Sequence, residues 1–473
     1  MRYIPNSENN IKKKIYKFLK IKNKDELFRR IARDILLLKP EDLSSVPDKM
    51  DESSIYRYFS KINDILPNVN NFSIFAGAGI YNHFVPAAVD SILSRSEFYT
   101  PYTPYQPEAS QGTLTALFEF QSMLAEILSM DAVNASMYDG AESLAEAVLM
   151  SLRIASAPLG TLLSTPKRAL KVLISDGVNP AYISVMKTYL QDLGIAIETV
   201  KLDKKTGLSD LNNLSLKLDE GVFSYVVQQP NFYGIIEDLA ETEKIVHKNK
   251  NKTENTAINP LFIVCSSEPF SFGTINPPGY YNADIFAGEG NSFGNYMNYG
   301  GPLLGLFAAK KEFIRQMPGR IVGKTKDAKN NDAYVFILST REQHIRRQEA
   351  TSNICTNSSL NAVRAAVYLS LCSKSGFKDI SLLNLKLAHL LCGKLQETGL
   401  FKLIYTGDFY NEFAMKIKNM EAAPFLDKMA DKNILGGTIV GSNEILIAVT
   451  ERNSIYDIDR YVENAVSILK PFK

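Results

Sequence analysis

Between residues 168 and 269 the chain alternates apolar, strand-like runs with amphipathic helical stretches, and this alternation restricts the fold more than any other feature. KVLISD (171–176), IAIETVKL (195–202), FSYVVQQP (223–230) and LFIVCSSEP (261–269) are separated by helical spacing over residues 182–193, 208–218 and 235–249. Strands joined by helices run parallel, so the expectation is an α/β fold with a doubly wound, mostly parallel sheet. Ligands of such sheets sit beyond the carboxyl ends of the strands, which puts Asp176, Gln228, Gln229 and Glu268 at a candidate crevice.

The flanking segments extend this plan. Residues 11–21, 25–36 and 53–62 read as short amphipathic helices, with Asp25 a plausible N-cap for the second, and form an arm over residues 1–70. A large domain over 71–340 follows. From 341 onward, helices at 361–371 and 382–398 precede alternating strands (401–407, 444–450) and helices (424–434, 454–469), giving a smaller C-terminal α/β domain over 341–473.

Composition narrows the function classes. Lys+Arg 53 against Asp+Glu 51 leaves a formal charge of +2, which gives no basic surplus for nucleic acid or acidic lipid. The four cysteines, Cys265, Cys355, Cys372 and Cys392, form no CxxC pair, and four histidines are too few and too scattered for a zinc site. No apolar run is long enough for a membrane helix and the N-terminal residues lack a secretory pattern, so the expected setting is cytoplasmic.

Several motifs bear on chemistry. In FSIFAGAGIYN (72–82) a dinucleotide fingerprint would need a third glycine where Asn82 stands, so Gly77 and Gly79 read as a turn. The stretch SRSEFYTPYTPYQPEASQG (94–112) is stiffened by Pro101, Pro104 and Pro107 and carries Tyr99, Tyr102 and Tyr105 at a three-residue spacing. It is either a surface hairpin with buried rings or a rigid aromatic wall of a binding site. Asp139 and Glu142 form a capping box at the start of a helix, where two carboxyls would compete with a phosphate. The run GEGNSFGNYMNYGGP (288–302) holds five glycines and follows a strand, so it is a specialised loop facing a ligand or another backbone. Within it Gly290-Asn291-Ser292-Phe293-Gly294 fits a nucleophile elbow, yet the residues that follow cannot open the helix a serine hydrolase requires. A pyridoxal phosphate enzyme of this plan would carry its Schiff-base lysine in the same loop and an acid near Glu268, but no lysine occurs between Lys252 and Lys310.

SRSEFYTPYTPYQPEASQG, NASMYDGAESLAEA (134–147) and GEGNSFGNYMNYGGPLLGLFAAKKEFIRQMPGR (288–320) closely resemble the α subunit family of the split glycine-decarboxylating P-protein. RYIPNSENN (2–10) and STREQHIRRQEATSNICTN (339–357) extend the resemblance over most of the chain. It implies the type I pyridoxal phosphate transferase fold. It also implies a subunit without the catalytic lysine: the lysine position of the β subunit falls on Asn291, and Glu268 stands where the family commonly has Asp. By the same resemblance, pyridoxal phosphate is held by a partner β subunit, the pair assembles as a heterotetramer, and glycine is decarboxylated with transfer of the aminomethyl group to the lipoyl arm of H-protein. This chain would contribute walls to the shared site through Tyr99, Tyr102, Thr103, Tyr105 and Gln106, with no metal. The competing expectations are a purely structural pseudoenzyme that stabilises its partner and, more remotely, a serine hydrolase using Ser292.

Overall fold

The computed structural model describes residues 6, 8–29, 49–66, 71–156, 170–248, 259–298 and 300–470. The chain forms two compact units, Met1–Asn71 and Phe72–Lys473. In the first, Asn9–Leu19 and Glu52–Ile65 are α-helices separated by a short 3-10 helix, Lys24–Phe28. The cap of that 3-10 helix is Asn23, whose side chain accepts the Asp25 N–H, rather than Asp25 itself. The longer helix starts where Asp51 accepts the N–H of Ser54. Most of the predicted 25–36 helix lies outside the described residues.

The second unit is built on a seven-stranded sheet. Its strands are β1 (Ala132–Val133), β2 (Lys171–Ser175), β3 (Ala196–Val200), β4 (Val222–Gln228), β5 (Leu261–Ser266), β6 (Ile285–Glu289) and β7 (Gly305–Ala309). They lie in the order β1-β7-β6-β5-β4-β2-β3. All neighbours from β6 to β3 are parallel; β7 runs antiparallel to both β6 and β1. Strands β4 to β7 are buried along their whole length, the pattern of a sheet covered on both faces. Side-chain alternation explains the two cores: Tyr225, Val227, Phe262, Val264 and Phe286 join one cluster, while Val226, Ile263, Cys265, Ile285 and Ala287 join the other. The helix Gln111–Leu128 packs in the first and the helices Gly140–Ser156 and Pro180–Leu190 in the second.

The two helices expected at 361–371 and 382–398 are present with a narrower gap between them, abutting within the run Ser359–Glu397, which a non-helical backbone at Ser373 (φ 57°, ψ 178°) divides. Its first part packs with the sheet core through Ala362, Ala365, Tyr368 and Leu369. Its last part packs through Ala388, Leu391 and Leu395 against a four-stranded antiparallel sheet made of Phe401–Leu403, Glu412–Ile417, Thr438–Gly441 and Glu444–Ala448. Ser73–Ile74, far away in sequence, pairs in parallel with Ile434–Leu435 beside this sheet. A hairpin of Ile321–Lys326 and Asp332–Ile337, which the sequence pattern does not announce, follows β7.

Candidate functional site

The carboxyl ends of β2, β4, β5 and β6 define the crevice, and the chain itself fills it. The Gln228 amide oxygen accepts the Asn179 N–H (2.8 Å) and its nitrogen donates to Ser267 Oγ (3.3 Å). Gln229 accepts the N–H of Glu237 (2.7 Å). Both glutamines are buried, whereas Asp176 is exposed and stands apart from them. Over these ends runs the segment 75–86. Its turn needs glycine in two ways: Gly79 sits at φ 116°, and a Cβ on Gly77 would lie 2.4 Å from Glu412 Oε1. Ala78 N–H and Tyr81 OH both donate to the Glu412 carboxyl (2.6 and 2.8 Å), which burial pushes up to a pKa of about 7.

That segment delivers His83 to Glu268. The imidazole is buried, with Nε2 2.8 Å from Glu268 Oε2 and Nδ1 2.8 Å from Glu451 Oε2. Burial alone would lower its pKa, but the two carboxylates together outweigh that and hold it at about 10, so the ring is an imidazolium at neutral pH. The tilted ring of Phe270 lies 5.0 Å away, centroid to centroid. Glu268 takes two further donors, the Phe270 N–H (3.1 Å) and Ser292 Oγ (3.2 Å), and Glu451 takes the Phe84 N–H (2.7 Å). Burial raises the Glu451 pKa, and His83 more than reverses this, leaving it below its ordinary value.

A second carboxyl occupies the helix start. Glu289, at the end of β6, accepts three backbone N–H groups: Asn291 (2.9 Å) and Leu304 (3.0 Å) on Oε1, and Gly140 (3.0 Å), the first residue of its helix, on Oε2. Burial pushes its pKa up to about 8 against the pull of those donors. The capping box is present with a shifted return bond. Asp139 Oδ1 accepts the Glu142 N–H (2.8 Å), while Glu142 reaches back to the N–H of Tyr138 (3.2 Å), one residue beyond the cap. Glu142 is itself raised to about 8 by burial.

Pyridoxal phosphate does not fit these residues. Its imine needs an amine, and Asn291 offers an amide, 1% exposed, whose Nδ2 donates to the Tyr296 carbonyl (3.1 Å) and whose Oδ1 has no partner among the described residues. Its ring nitrogen needs an acid, and the free face of Glu268 is taken by His83. Its phosphate needs the helix N-terminus, where Glu289 already accepts the Gly140 N–H and Asp139 the Glu142 N–H. A nucleophilic role for Ser292 fails as well. The side chain is buried and bonded to a carboxylate, no imidazole touches it, and residues 291–294 form a turn that no helix follows. His389 is spent on the Phe409 carbonyl, and His344 lies against Tyr105.

The residues expected to form walls sit on an open surface. Tyr99 closes a one-turn helix, Ser96–Tyr99, so it belongs to the entry of the ribbon rather than to its extended part. Tyr102 is 79% exposed, Tyr99 57% and Tyr105 53%, which excludes a hairpin with buried rings. Pro104 is buried beneath them and Thr103 is half-buried. Thr103 and Tyr105 turn toward Arg320, with Oγ1 3.4 Å and OH 2.8 Å from the guanidinium. Gln111 fixes the far end, donating to the Pro107 and Tyr334 carbonyls and accepting the Tyr334 N–H (2.8, 2.9 and 2.9 Å).

Sequence reasoning missed His83, Glu289, Glu451 and Arg320. Each stands alone in its local pattern and meets at least one partner across a long interval, 185 residues for His83 to Glu268, 149 for Glu289 to Gly140 and 215 for Arg320 to Tyr105. The one signal available was the position of Glu289, an acid ending a buried strand just before a glycine loop.

A family model of the glycine cleavage system P-protein matches residues 1–464. The probable glycine dehydrogenase (decarboxylating) subunit 1 of Staphylothermus marinus is 41% identical over 486 aligned positions, covering 100% of this chain and 99% of that protein. The corresponding protein of Bacillus cytotoxicus is 40% identical, covering 99% of each. Among solved structures, glycine decarboxylase (P-protein) of the glycine cleavage system in inhibitor-bound form superposes with a TM-score of 0.80 at 34% identity, covering 99% of this chain and 100% of that one. Glutamate decarboxylase of Lactobacillus brevis, at 13% identity and a TM-score of 0.67 over 94% of this chain and 98% of that one, shares the fold alone, that of the type I pyridoxal phosphate enzymes. With a filled crevice, no lysine in its loop and matches of this length, the chain belongs to the glycine cleavage system P-protein family, on the subunit 1 side of its split form.

Proposed function

We propose that this chain is the non-lysine α subunit of glycine decarboxylase, active only with a lysine-bearing β subunit. The pair decarboxylates glycine and passes the aminomethyl group to the lipoyl arm of H-protein. Pyridoxal phosphate belongs to the β subunit, because here each position that would hold it is taken by Asn291, His83 or Glu289. That occupied crevice, beside an exposed aromatic ribbon, is the observation that carries the reading.

The part played by this chain is a wall. Tyr99, Tyr102, Thr103, Tyr105 and Gln106 lie on a segment stiffened by three prolines and tied to the hairpin at 321–337. Hydroxyl and amide groups held this way orient a carboxylate and fence the lipoyl path, and loss of such positioning is costly for rate. An αβ pair doubled into a heterotetramer is the expected assembly. Among the described residues no helix is long and apolar enough to cross a membrane, and we place the enzyme in the cytoplasm. Residues 341–473 are proposed as its smaller domain, with 1–70 as an arm.

The test is reconstitution. The purified chain alone is expected to show no pyridoxal absorbance and no glycine–bicarbonate exchange, and addition of the β subunit to restore both. Exchange by the chain alone would defeat the reading. Tyr102→Phe combined with Tyr105→Phe decides between a wall and a purely structural partner: rates unchanged, with assembly still requiring the chain, would leave only the structural role.

A further inference from the structure

Arg320 is 3% exposed, yet it lies directly beneath the most exposed aromatic segment of the second unit. Its guanidinium makes contact on every side. Nη2 donates to Tyr105 OH (2.8 Å) and to the Cys355 carbonyl (2.9 Å), Nη1 donates to Thr103 Oγ1 (3.4 Å), and Nε lies 3.5 Å from Glu342 Oε2. The cation also faces the rings of Tyr105 (5.2 Å) and Phe336 (5.8 Å). The contacts away from the ribbon are themselves held. Tyr138 OH accepts the N–H groups of Cys355 and Thr356 (3.2 and 3.1 Å), fixing the carbonyl that Arg320 grips. The Arg320 carbonyl accepts the Ala135 N–H (2.7 Å), anchoring its own backbone to the segment that follows β1.

We propose that Arg320 is the positioning residue of the ribbon: a planar fork, held from below by the Cys355 carbonyl and the Phe336 ring with Glu342 as its counter-charge, that sets Thr103 and Tyr105 in one place. Tyr102 and Gln106, the neighbours that make no side-chain hydrogen bond among the described residues, are thereby presented outward to substrate. The geometry requires arginine in particular. A lysine ammonium has the charge but not the spaced pair of Nη groups that reach Thr103 and Tyr105 while a third nitrogen faces Glu342. Thr103 and Tyr105 therefore act mainly as attachment points and Tyr102 and Gln106 as contacts, a division of labour within the five wall residues.

The inference rests on the reading of the ribbon as a wall of the shared site, and the experiment separates the two. Chain reconstituted with its β subunit is assayed for glycine–bicarbonate exchange with Arg320→Gln, Arg320→Lys, Tyr102→Ala and the double variant Thr103→Val/Tyr105→Phe. Arg320→Gln is expected to lower kcat about 10- to 100-fold, the loss that a displacement near 1 Å brings. The glycine KM should stay within about threefold and the pyridoxal absorbance of the complex should be unchanged, with Arg320→Lys intermediate. Adding Arg320→Gln to Thr103→Val/Tyr105→Phe should cost little more than either change alone, because both cut the same bonds. Full activity of Arg320→Gln alongside an impaired Tyr102→Ala overturns the positioning role and leaves the wall intact. Full activity of Tyr102→Ala removes the wall reading, and this proposal with it. If Arg320→Gln fails to fold, Thr103→Val/Tyr105→Phe decides: a kcat loss of the same size supports the proposal, and wild-type rates overturn it.

Discussion

The crevice at the strand ends and the tyrosine ribbon treat polar groups in opposite ways. In the crevice, Glu268, Glu289 and Glu412 are removed from water, Glu451 is half-buried, and each is met by donors from the same chain. On the ribbon, Tyr99, Tyr102 and Gln106 face solvent. A buried polar group left without a partner is expensive, so a site that no longer binds its ligand must fill itself or collapse. An exposed group has no such requirement and can be kept for something outside the molecule. The difference teaches where to look for function in a subunit of this kind: at the polar groups the fold leaves facing solvent.

The comparison makes a rule that can be broken, in which crevice variants change stability and ribbon variants change rate. The largest effect is expected for His83→Leu, which leaves the buried Glu268 and the half-buried Glu451 without their shared cation. Breaking a buried pair in this way costs roughly 3–5 kcal/mol. Urea unfolding of the isolated chain measures it, and a loss under about 1 kcal/mol would mean that the imidazolium is dispensable. Next, Tyr102→Ala with Gln106→Ala is expected to cut the reconstituted rate about 100-fold while moving the urea midpoint very little, since neither side chain is buried. A midpoint shift as large as that of His83→Leu would erase the distinction.

A smaller effect is the pH dependence. The folded pKa of His83 lies above its unfolded value, so its contribution is complete below about 6.5 and is lost as pH climbs through about 10. Glu289, raised from 4.5 to about 8, favours its protonated form in the folded chain and erodes stability in the same direction between those values. Stability should therefore fall from mildly acidic to alkaline pH, and His83→Gln should flatten the upper part of that slope; a rising slope above pH 7 contradicts the assignment. The smallest expected response is to Asn291→Lys, which should bring no pyridoxal absorbance to the isolated chain, because His83 and Glu289 still occupy the places of the ring and the phosphate. Cofactor bound by that single variant would show the crevice to be merely lysine-deficient.

How far the sequence was legible follows from the range of the interactions. Strands β2, β4 and β5 were visible because a run buried on both faces must be continuously apolar, β3, the half-exposed edge strand, because of its β-branched residues, and their parallel direction followed from the helices between them. The strand Glu412–Ile417 was missed because two charged residues, Glu412 and Lys416, interrupt the apolar pattern; Glu412 is buried only because Ala78 and Tyr81 supply its donors from more than 300 residues away. The break at Ser373 was read as a gap between two helices, since local propensity falls there whether or not the backbone turns aside. In the site, the loss of the lysine could be read from residue types alone, and so could the rigidity that three prolines impose on the ribbon. What fills the crevice could not: His83 resembles any lone histidine until the chain folds it against two acids. Arg320 likewise ends a stretch, KEFIRQMPGR, that gives no hint of Tyr105 above it.

His83 has one more consequence. A chain that binds a vitamin-derived cofactor is stabilised in proportion to the logarithm of the free cofactor concentration, and it weakens when supply runs short. An imidazole carried on the chain cannot dissociate, so no concentration but that of the proton appears in its contribution. With the cofactor on the partner, as proposed, this half of the enzyme would fold and persist through scarcity, ready for whichever partner molecules had been loaded.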